Sequence, residues 1–336
     1  LPRPSKAEEE ILKLLRELGE AYQRDLVSAS GFSKGRVSEV LARLHRRGLI
    51  GRQAIGRSIK VYLRVAAPRG SSRSLRLGLI RAAEYPYIIP MAKLLRERGL
   101  GLEPKVYDNG IEVLKDLSAL RLDLAIAPLL TFFIFFSLGA PVRVLAPAGA
   151  GGASIIVNPA TEARELRASC TRLSTMEAAL ATAVNHGVLP KLSKVEYSPS
   201  PKEMMMLLER GRVDALSIWE PYASALVARG YRREARYSEM ADHICCVLGA
   251  SNSLSASLIE RVVDAHSRAL LQFRENPGLY YTPYCALVGL DSKSAETSLR
   301  EYTYPERLDH DLVLRQLEEA GIRVPSPSLI SDLFQG

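Results

Sequence analysis

Apolar residues recur at helical spacing through Ile11, Leu12, Leu14, Leu15 and Leu18, and Gly19 ends the run. Ser5-Lys6-Ala7-Glu8 has the spacing of a capping box, so a helix is predicted to begin there. A second, shorter helix is predicted over 22–28 with Leu26 facing inward, followed by a tight turn at Ser30-Gly31-Phe32. Ser33 is placed to cap a third helix over 34–47, which Gly48 stops. Val37, Val40, Leu41 and Leu44 form its apolar stripe and leave Lys34, Arg36, Ser38, Arg43 and Arg46 off it. Two strands follow, 49–54 and 59–64, with Gly56-Arg57-Ser58 turning between them.

Residues 68–74, Pro-Arg-Gly-Ser-Ser-Arg-Ser, have linker composition. Beyond them strands and helices alternate. Strands are predicted at 75–80, 102–107, 122–127 and 142–146, with helices at 86–98 and 110–119 and an aromatic helix around Phe132, Phe133, Phe135 and Phe136. After the glycine-rich run 149–152, expected to be a flexible crossover near a hinge, a second set begins. It has strands at 154–157, 171–174, 194–197 and 215–218 and helices at 175–186, 201–210 and 221–229. A strand near 244–248 and helices at 256–275 and 308–320 complete it. Such alternation implies mostly parallel sheets covered on both faces. Two sets with a late return imply two lobes, about 75–150 with 238–336 and about 151–237. The fold class is therefore α/β, preceded by a small helical module with a two-stranded wing over 1–67.

Charge sharpens this division. The net charge is +8, and residues 1–73 hold 16 Lys and Arg against 7 Asp and Glu, whereas the other 263 hold 29 against 30. All the excess positive charge thus sits on the first module, as expected for a polyanion-binding unit joined to a near-neutral one. Four cysteines (Cys170, Cys245, Cys246, Cys285) are too few for a disulfide framework and are expected to be reduced and buried. The apolar run 124–138 contains Pro128 and is too short to cross a bilayer, which takes about 20 residues. No membrane association is expected. The polar segment 1–10 is unlike an export signal, which points to a cytoplasmic protein.

The first module resembles winged helix-turn-helix regulators of the MarR, ArsR and TrmB type. The likeness runs from Leu26-Val27-Ser28 through Val37-Ser38, Leu41-Ala42-Arg43-Leu44 and Arg47-Gly48-Leu49-Ile50 to Gly56-Arg57-Ser58 and Tyr62. It implies double-stranded DNA as a partner. Lys34, Arg36 and Ser38 would enter the major groove, Arg43 and Arg46 would lie along the same helix, and Arg57 would reach backbone or minor groove from the wing. Such modules work in pairs, so a homodimer is expected, with the aromatic segment 132–136 as one interface and helices of the first module as the alternative.

Residues 75–336 resemble the solute-binding proteins of the nitrate, sulfonate and thiamine-pyrimidine group of ABC importers, a type II periplasmic-binding-protein-like fold. The segments that carry this are Leu75-Arg76-Leu77-Gly78, Leu120-Arg121-Leu122-Asp123-Leu124-Ala125-Ile126-Ala127, Leu208-Glu209-Arg210-Gly211-Arg212-Val213-Asp214-Ala215, and Trp219-Glu220-Pro221-Tyr222 before Gly230-Tyr231. The resemblance implies a small-molecule effector in the cleft between the lobes, at the carboxyl ends of strands. The residues expected there are Glu84, Tyr85, Tyr87, Asn109, Thr131, Ser174, Thr175, Trp219 and Glu220. A helix start at Ser174-Thr175 suits an oxyanion such as a sulfonate, while Glu84 and Glu220 suit a cation or an amino-heterocycle of the thiamine-pyrimidine type. The residues leave both open.

No cofactor or metal is expected, because no histidine has metal-site spacing with another ligand type. Two other functions fit the pattern. One, implied by the resemblance, is an enzyme of the same fold acting in thiamine or menaquinone synthesis, for which His186 and His243 are the first candidates. The other is a DNA-binding protein whose second domain has lost its ligand and only dimerises.

Overall fold

The computed structural model describes residues 5–18, 20–46, 50–55, 58–63 and 74–335. Contacts divide the chain into two compact units, Leu1–Ser72 and Arg73–Gly336.

In the first unit α1 (Lys6–Leu18), β1 (Glu20–Tyr22), α2 (Gln23–Ser30), α3 (Lys34–Arg46), β2 (Ile50–Ile55) and β3 (Ser58–Leu63) follow in the order of a winged helix. The capping box is present: the Glu8 carboxylate accepts from the Ser5 backbone N–H at 2.7 Å, and the Glu8 N–H donates to Ser5 Oγ at 3.3 Å. Ser33 Oγ accepts from the Arg36 N–H, and Gly31 takes φ +69° in the turn. Ile11, Leu15, Leu26, Val37, Val40, Leu41, Leu44, Ile50 and Val61 meet in one core. The short strand β1 was not legible in the sequence. It pairs antiparallel with β3, making a three-stranded sheet of order β1-β3-β2.

The second unit contains β4 (Ser74–Ile80), α4 (Ile88–Glu97), β5 (Gly101–Tyr107), α5 (Gly110–Ser118), β6 (Leu124–Pro128), α6 (Leu129–Ser137) and β7 (Val142–Gly151). A second set follows: β8 (Ala153–Val157), β9 (Leu166–Cys170), α7 (Thr175–Asn185), β10 (Leu192–Tyr197), α8 (Pro201–Glu209), β11 (Ala215–Trp219), α9 (Tyr222–Ala228), β12 (Arg232–Arg236) and α10 (Tyr237–Met240). The chain returns through β13 (Cys246–Ser251), α11 (Ala256–Glu275), α12 (Pro277–Val288), α13 (Ser292–Glu296), β14 (Tyr302–Thr303), α14 (His310–Glu319) and α15 (Ser328–Gln335). The first lobe's sheet has the order β14-β7-β13-β6-β4-β5 and the second lobe's β10-β9-β11-β8-β12. In each, three parallel strands are followed by antiparallel ones.

The two lobes repeat one device. Arg76 at the start of β4 binds the Asp123 carboxylate through its own N–H, Nε and Nη2, and Nη2 also donates to the Leu120 carbonyl. In the second lobe Arg167, Asp214 and the Gly211 carbonyl make the same four bonds, again 47 residues apart. Leu120 and Gly211 both sit in the left-handed region, φ +57° and +64°, because the chain must turn there to bring the Asp back to the neighbouring strand. The Asp-containing segments noted in the sequence are therefore staples between adjacent parallel strands.

Two expectations need correction. The strand expected over 171–174 lies earlier, at Leu166–Cys170. Residues 171–174 form the turn after it, closed by the 2.8 Å contact of the Thr171 and Ser174 hydroxyls and by Ser174 Oγ donating to the Thr171 carbonyl. The glycine run is no loose crossover. Gly149–Gly151 belong to β7, where Cys245 N–H donates to the Gly149 carbonyl, and the Gly152 N–H donates to the Glu301 carbonyl. Gly151 and Gly152 take φ +85° and +72°, and a Cβ on either would collide with Glu301 or Tyr302, so packing as well as conformation demands glycine. The short strands β12 and β14 and the helices α10, α12, α13 and α15 had no clear sequence signal.

Of the aromatic helix, Phe132 and Phe133 are spent on the first lobe's core, while Phe135 and Phe136 are half-buried against it. No helix among the described residues is long and apolar enough to cross a membrane. In α11, which packs on α4, His266 is buried, lies edge-on to Tyr87 at 5.2 Å, and has no partner for Nε2 among the described residues. Burial holds its pKa down, at about 4. A histidine held neutral in the folded state contributes fully above its unfolded pKa of about 6.5 and loses that contribution as pH falls toward 4. The loss should be on the order of 3 kcal/mol, read as a falling urea midpoint between pH 6.5 and 4. His266→Leu should flatten that slope; an unchanged slope in the variant would assign it to other groups.

Candidate functional site

The lobes are closed on one another, and the bonds between them come from cleft-facing loops. Asn109 caps α5 through Oδ1 and donates from Nδ2 to the Pro199 carbonyl at 2.9 Å. Thr131 Oγ1 donates to the Leu173 carbonyl at 2.6 Å, and Thr175 Oγ1 to the Cys245 carbonyl at 3.1 Å. Trp219 Nε1 donates to the Arg81 carbonyl at 2.9 Å. The Ala83 N–H donates to the Glu220 carbonyl at 3.2 Å.

A narrow cavity remains between them. Ile80, Ala82, Glu84, Tyr85, Asn109, Gly110 and Pro128 line it from the first lobe, with Cys245 and Cys246 at the return crossing and Thr171, Ser174, Thr175, Met176 and Trp219 from the second lobe. Its volume is about 30 Å³. That is room for a water or an ion, well below the size of an organic ligand site.

Six of the residues expected at the ligand, Glu84, Tyr85, Asn109, Ser174, Thr175 and Trp219, come together on this wall. Three do not. Tyr87 is core: its hydroxyl donates to the Ala148 carbonyl and its ring packs on His266 and Tyr304. Thr131 is spent on the Leu173 carbonyl. Glu220, fully buried and followed by a cis peptide to Pro221, turns away from the cleft. Its carboxylate accepts from Arg233 at 2.6 Å and from the Ser224 N–H and hydroxyl. Arg233 and Arg236 both also hold Glu301. The charge that suggested a ligand contact is thus consumed internally.

Glu84 is the unusual member. It is 2% exposed, and Oε1 has no hydrogen-bond partner among the described residues. Burial pushes its carboxyl up to about 8, and the nearby polar groups of Tyr85, Cys246 and Cys245 offset this only in part. Burial likewise raises the Cys246 thiol well above the ordinary range. Tyr85 donates to Cys246 Sγ at 3.0 Å, and the two sulfurs are 3.5 Å apart. The loop carrying Glu84 is held from behind, since Tyr304 donates to the Glu84 carbonyl and Tyr284 to that of Ala82. The cysteine pair and these two tyrosines went unnoticed in the sequence as site residues, because 160 or more residues separate them from Glu84. Neither histidine considered for catalysis lines the cavity. His243 stacks on Tyr237 and accepts from the Gly151 N–H, and His186 is exposed at the end of α7.

On the first unit, a groove is lined by Tyr22, Gln23, Arg24, Val27, Ser28, Lys34, Ser38, Arg52 and Ile59. It gathers three basic side chains, of which Arg24 and Arg52 had not been singled out. Arg36 is exposed, is not part of the groove's lining, and pairs with Glu39 at 3.1 Å. Arg46 is exposed at the end of α3. Arg43 was expected to face nucleic acid but is half-buried and turned inward, paired with Glu39 at 3.2 Å and with the buried Glu8 at 3.7 Å. Arg57 lies outside the described residues.

Two lobes with matched strand orders, two crossings and a cleft between them define the type II periplasmic-binding-protein fold, here in a chain that also carries a winged helix. Solved structures agree on the fold. The alkanesulfonate-binding protein SsuA of Xanthomonas axonopodis pv. citri, bound to MOPS, aligns with a TM-score of 0.65 at 17% identity over 79% of this chain and 99% of that one. The periplasmic aliphatic sulphonate binding protein SsuA of Escherichia coli gives 0.62 at 17% identity over 75% and 86%. A ligand-binding component of an ABC-type import system from Staphylococcus aureus, with zinc bound, gives 0.64 at 15% identity over 79% and 100%. Residues 5–64 match a family model described as a domain of unknown function, DUF7343. No curated protein matches the chain.

The Glu220 network yields a test. Removing one partner of a buried pair leaves an uncompensated charge. Glu220→Gln should therefore destabilise the second unit by about 3 kcal/mol, at the low end because Arg233 keeps Glu301. Chemical denaturation measures this; wild-type stability in the variant would return Glu220 to the list of ligand contacts.

Proposed function

We propose that this protein is a cytoplasmic, ligand-responsive transcription regulator, not an enzyme, that binds double-stranded DNA as a homodimer through its winged helix and a small effector in the interlobe cleft. The observation that carries the reading is the pairing, in one chain, of a basic groove on a winged helix with a closed interlobe cleft of the binding-protein fold. Structures of similar fold bind sulfonates or carry zinc, which supports reading this cleft as a binding cleft. Here the lining contains a carboxylate and no Lys, Arg or His side chain. That favours a neutral or cationic effector, such as an amino-heterocycle of the thiamine-pyrimidine type, over a sulfonate.

The physics of coupling is simple. A ligand that touches both lobes changes the balance between open and closed forms by no more than its difference in affinity for them. If the DNA-binding dimer differs between those forms, coupling of about 1–3 kcal/mol changes DNA affinity roughly 5–150-fold, and DNA changes effector affinity by the same factor.

The test begins by selecting a preferred duplex from a random-sequence pool with the full chain. That duplex is then titrated with and without an aminopyrimidine and, separately, an alkanesulfonate. The expected result is a reciprocal shift with the aminopyrimidine. A cleft ligand that leaves DNA affinity unchanged in both directions would point to the enzyme or to an inert dimerisation domain. Within the winged helix, Lys34→Ala should weaken binding and lower the salt slope by about one unit. Arg43→Ala should mainly lower the stability of the first unit, because it removes the ion pair that Arg43 makes with buried Glu8. Equal DNA affinity for Lys34→Ala and wild type across a salt series would count against this groove.

A further inference from the structure

We propose that the cleft holds a thiophilic divalent cation of the zinc class, ligated by the Glu84 carboxylate and the Cys245 and Cys246 thiolates. The ligand atoms of these three buried residues lie within 4.8 Å of one another. The sulfurs are 3.5 Å apart, close to the separation of two thiolates on one tetrahedral ion with metal–sulfur bonds of about 2.3 Å. Two-coordinate binding would need the sulfurs farther apart. Glu84 offers an oxygen that has no partner among the described residues, on the wall of a cavity whose free space is that of a water or an ion.

An unpaired buried carboxylate oxygen is costly, and its natural remedies are a donor or a cation. No Lys, Arg or His lines the cavity to serve. Two adjacent thiols and a carboxylate suit a borderline-soft ion better than Mg²⁺ or Ca²⁺, which prefer oxygen alone. On binding, each ligating thiol or carboxylic acid gives its proton to solvent. Three protein ligands leave one tetrahedral position facing the cavity for water or for a donor atom of an organic effector. The site is rigid, since Tyr284 and Tyr304 hold the Glu84 loop and Cys245 is fixed by backbone bonds to Gly149 and Leu129. Spacing along the chain did not reveal it, because its third ligand is 161 residues away. Metal binding stands on this geometry alone; only its consequence for DNA rests on the regulatory reading above.

The experiment uses the full chain, reduced and stripped with chelator, titrated with Co²⁺ and then Zn²⁺. At one equivalent, Co²⁺ should give sulfur-to-metal charge transfer and the intense visible bands of a tetrahedral site, and Zn²⁺ should bleach them. Cys170→Ser and Cys285→Ser should leave these bands intact. The double variant Cys245→Ser/Cys246→Ser should lose them, and Glu84→Gln should keep the charge transfer while weakening affinity at least about tenfold. Should the double variant fail to fold, X-ray absorption of the zinc-loaded wild type decides: two sulfur neighbours near about 2.3 Å and oxygen near about 2.0 Å are expected. A folded wild type without sulfur bands, bands that survive in a folded double variant, or a shell of oxygen and nitrogen only would overturn the site. If the site loads but Zn²⁺ leaves affinity for the selected duplex unchanged, the metal site stands and its regulatory role falls.

Discussion

The second unit depends on the node at Glu220. Its side chain anchors Arg233 of β12 and, through Arg233, Glu301 beside β14, so the two lobes share one buried charge network. Its backbone does as much. The Glu220 N–H donates to the Gly152 carbonyl at the crossing, and its carbonyl accepts from Ala83 in the loop that carries Glu84 and from the Tyr302 hydroxyl. One residue therefore ties the hinge, the return strand and the candidate site loop. Gly151 and Gly152 must be glycine because Glu301 and Tyr302 are brought so close by that tie.

With the lobes held this way, the polar groups of the cleft loops find each other before they find a ligand. Asn109, Thr131, Thr175 and Trp219 all donate to carbonyls across the cleft. An organic effector must displace some of these bonds, and the net gain of each is only about 1 kcal/mol, so closure is strong enough to bias the equilibrium and weak enough to be reversed. The Glu84 carboxylate and the thiols of Cys245 and Cys246 take no part in these four bonds, although they line the same cavity.

Much of this was legible in the sequence, for identifiable reasons. The winged helix announces itself through local signals, since Ser5, Ser33 and Gly31 act within a few residues of where they stand. The α/β alternation is equally local, and the fold class followed from it. What stayed hidden was long-range. The pairing of Arg76 with Asp123 and Arg167 with Asp214 looks like surface charge until strands lie side by side. Glu220 read as a ligand contact because its partner Arg233 sits on β12, a strand with no apolar pattern of its own. Arg43 read as a DNA contact because its partner Glu8 is a helix away. The glycine run read as loose because glycine's freedom is visible in sequence, whereas the tyrosine that demands its small size is 150 residues further on.

The central claim is that the state of the cleft sets DNA affinity, and it can be tested without an effector. Thr131→Val with Trp219→Phe removes two cross-cleft bonds and touches nothing in the winged helix. Affinity for the selected duplex should then be measured alongside small-angle scattering of the full chain. The account predicts a more open second unit and an affinity shifted by roughly 5-fold or more. An opened cleft with unchanged DNA affinity would contradict it.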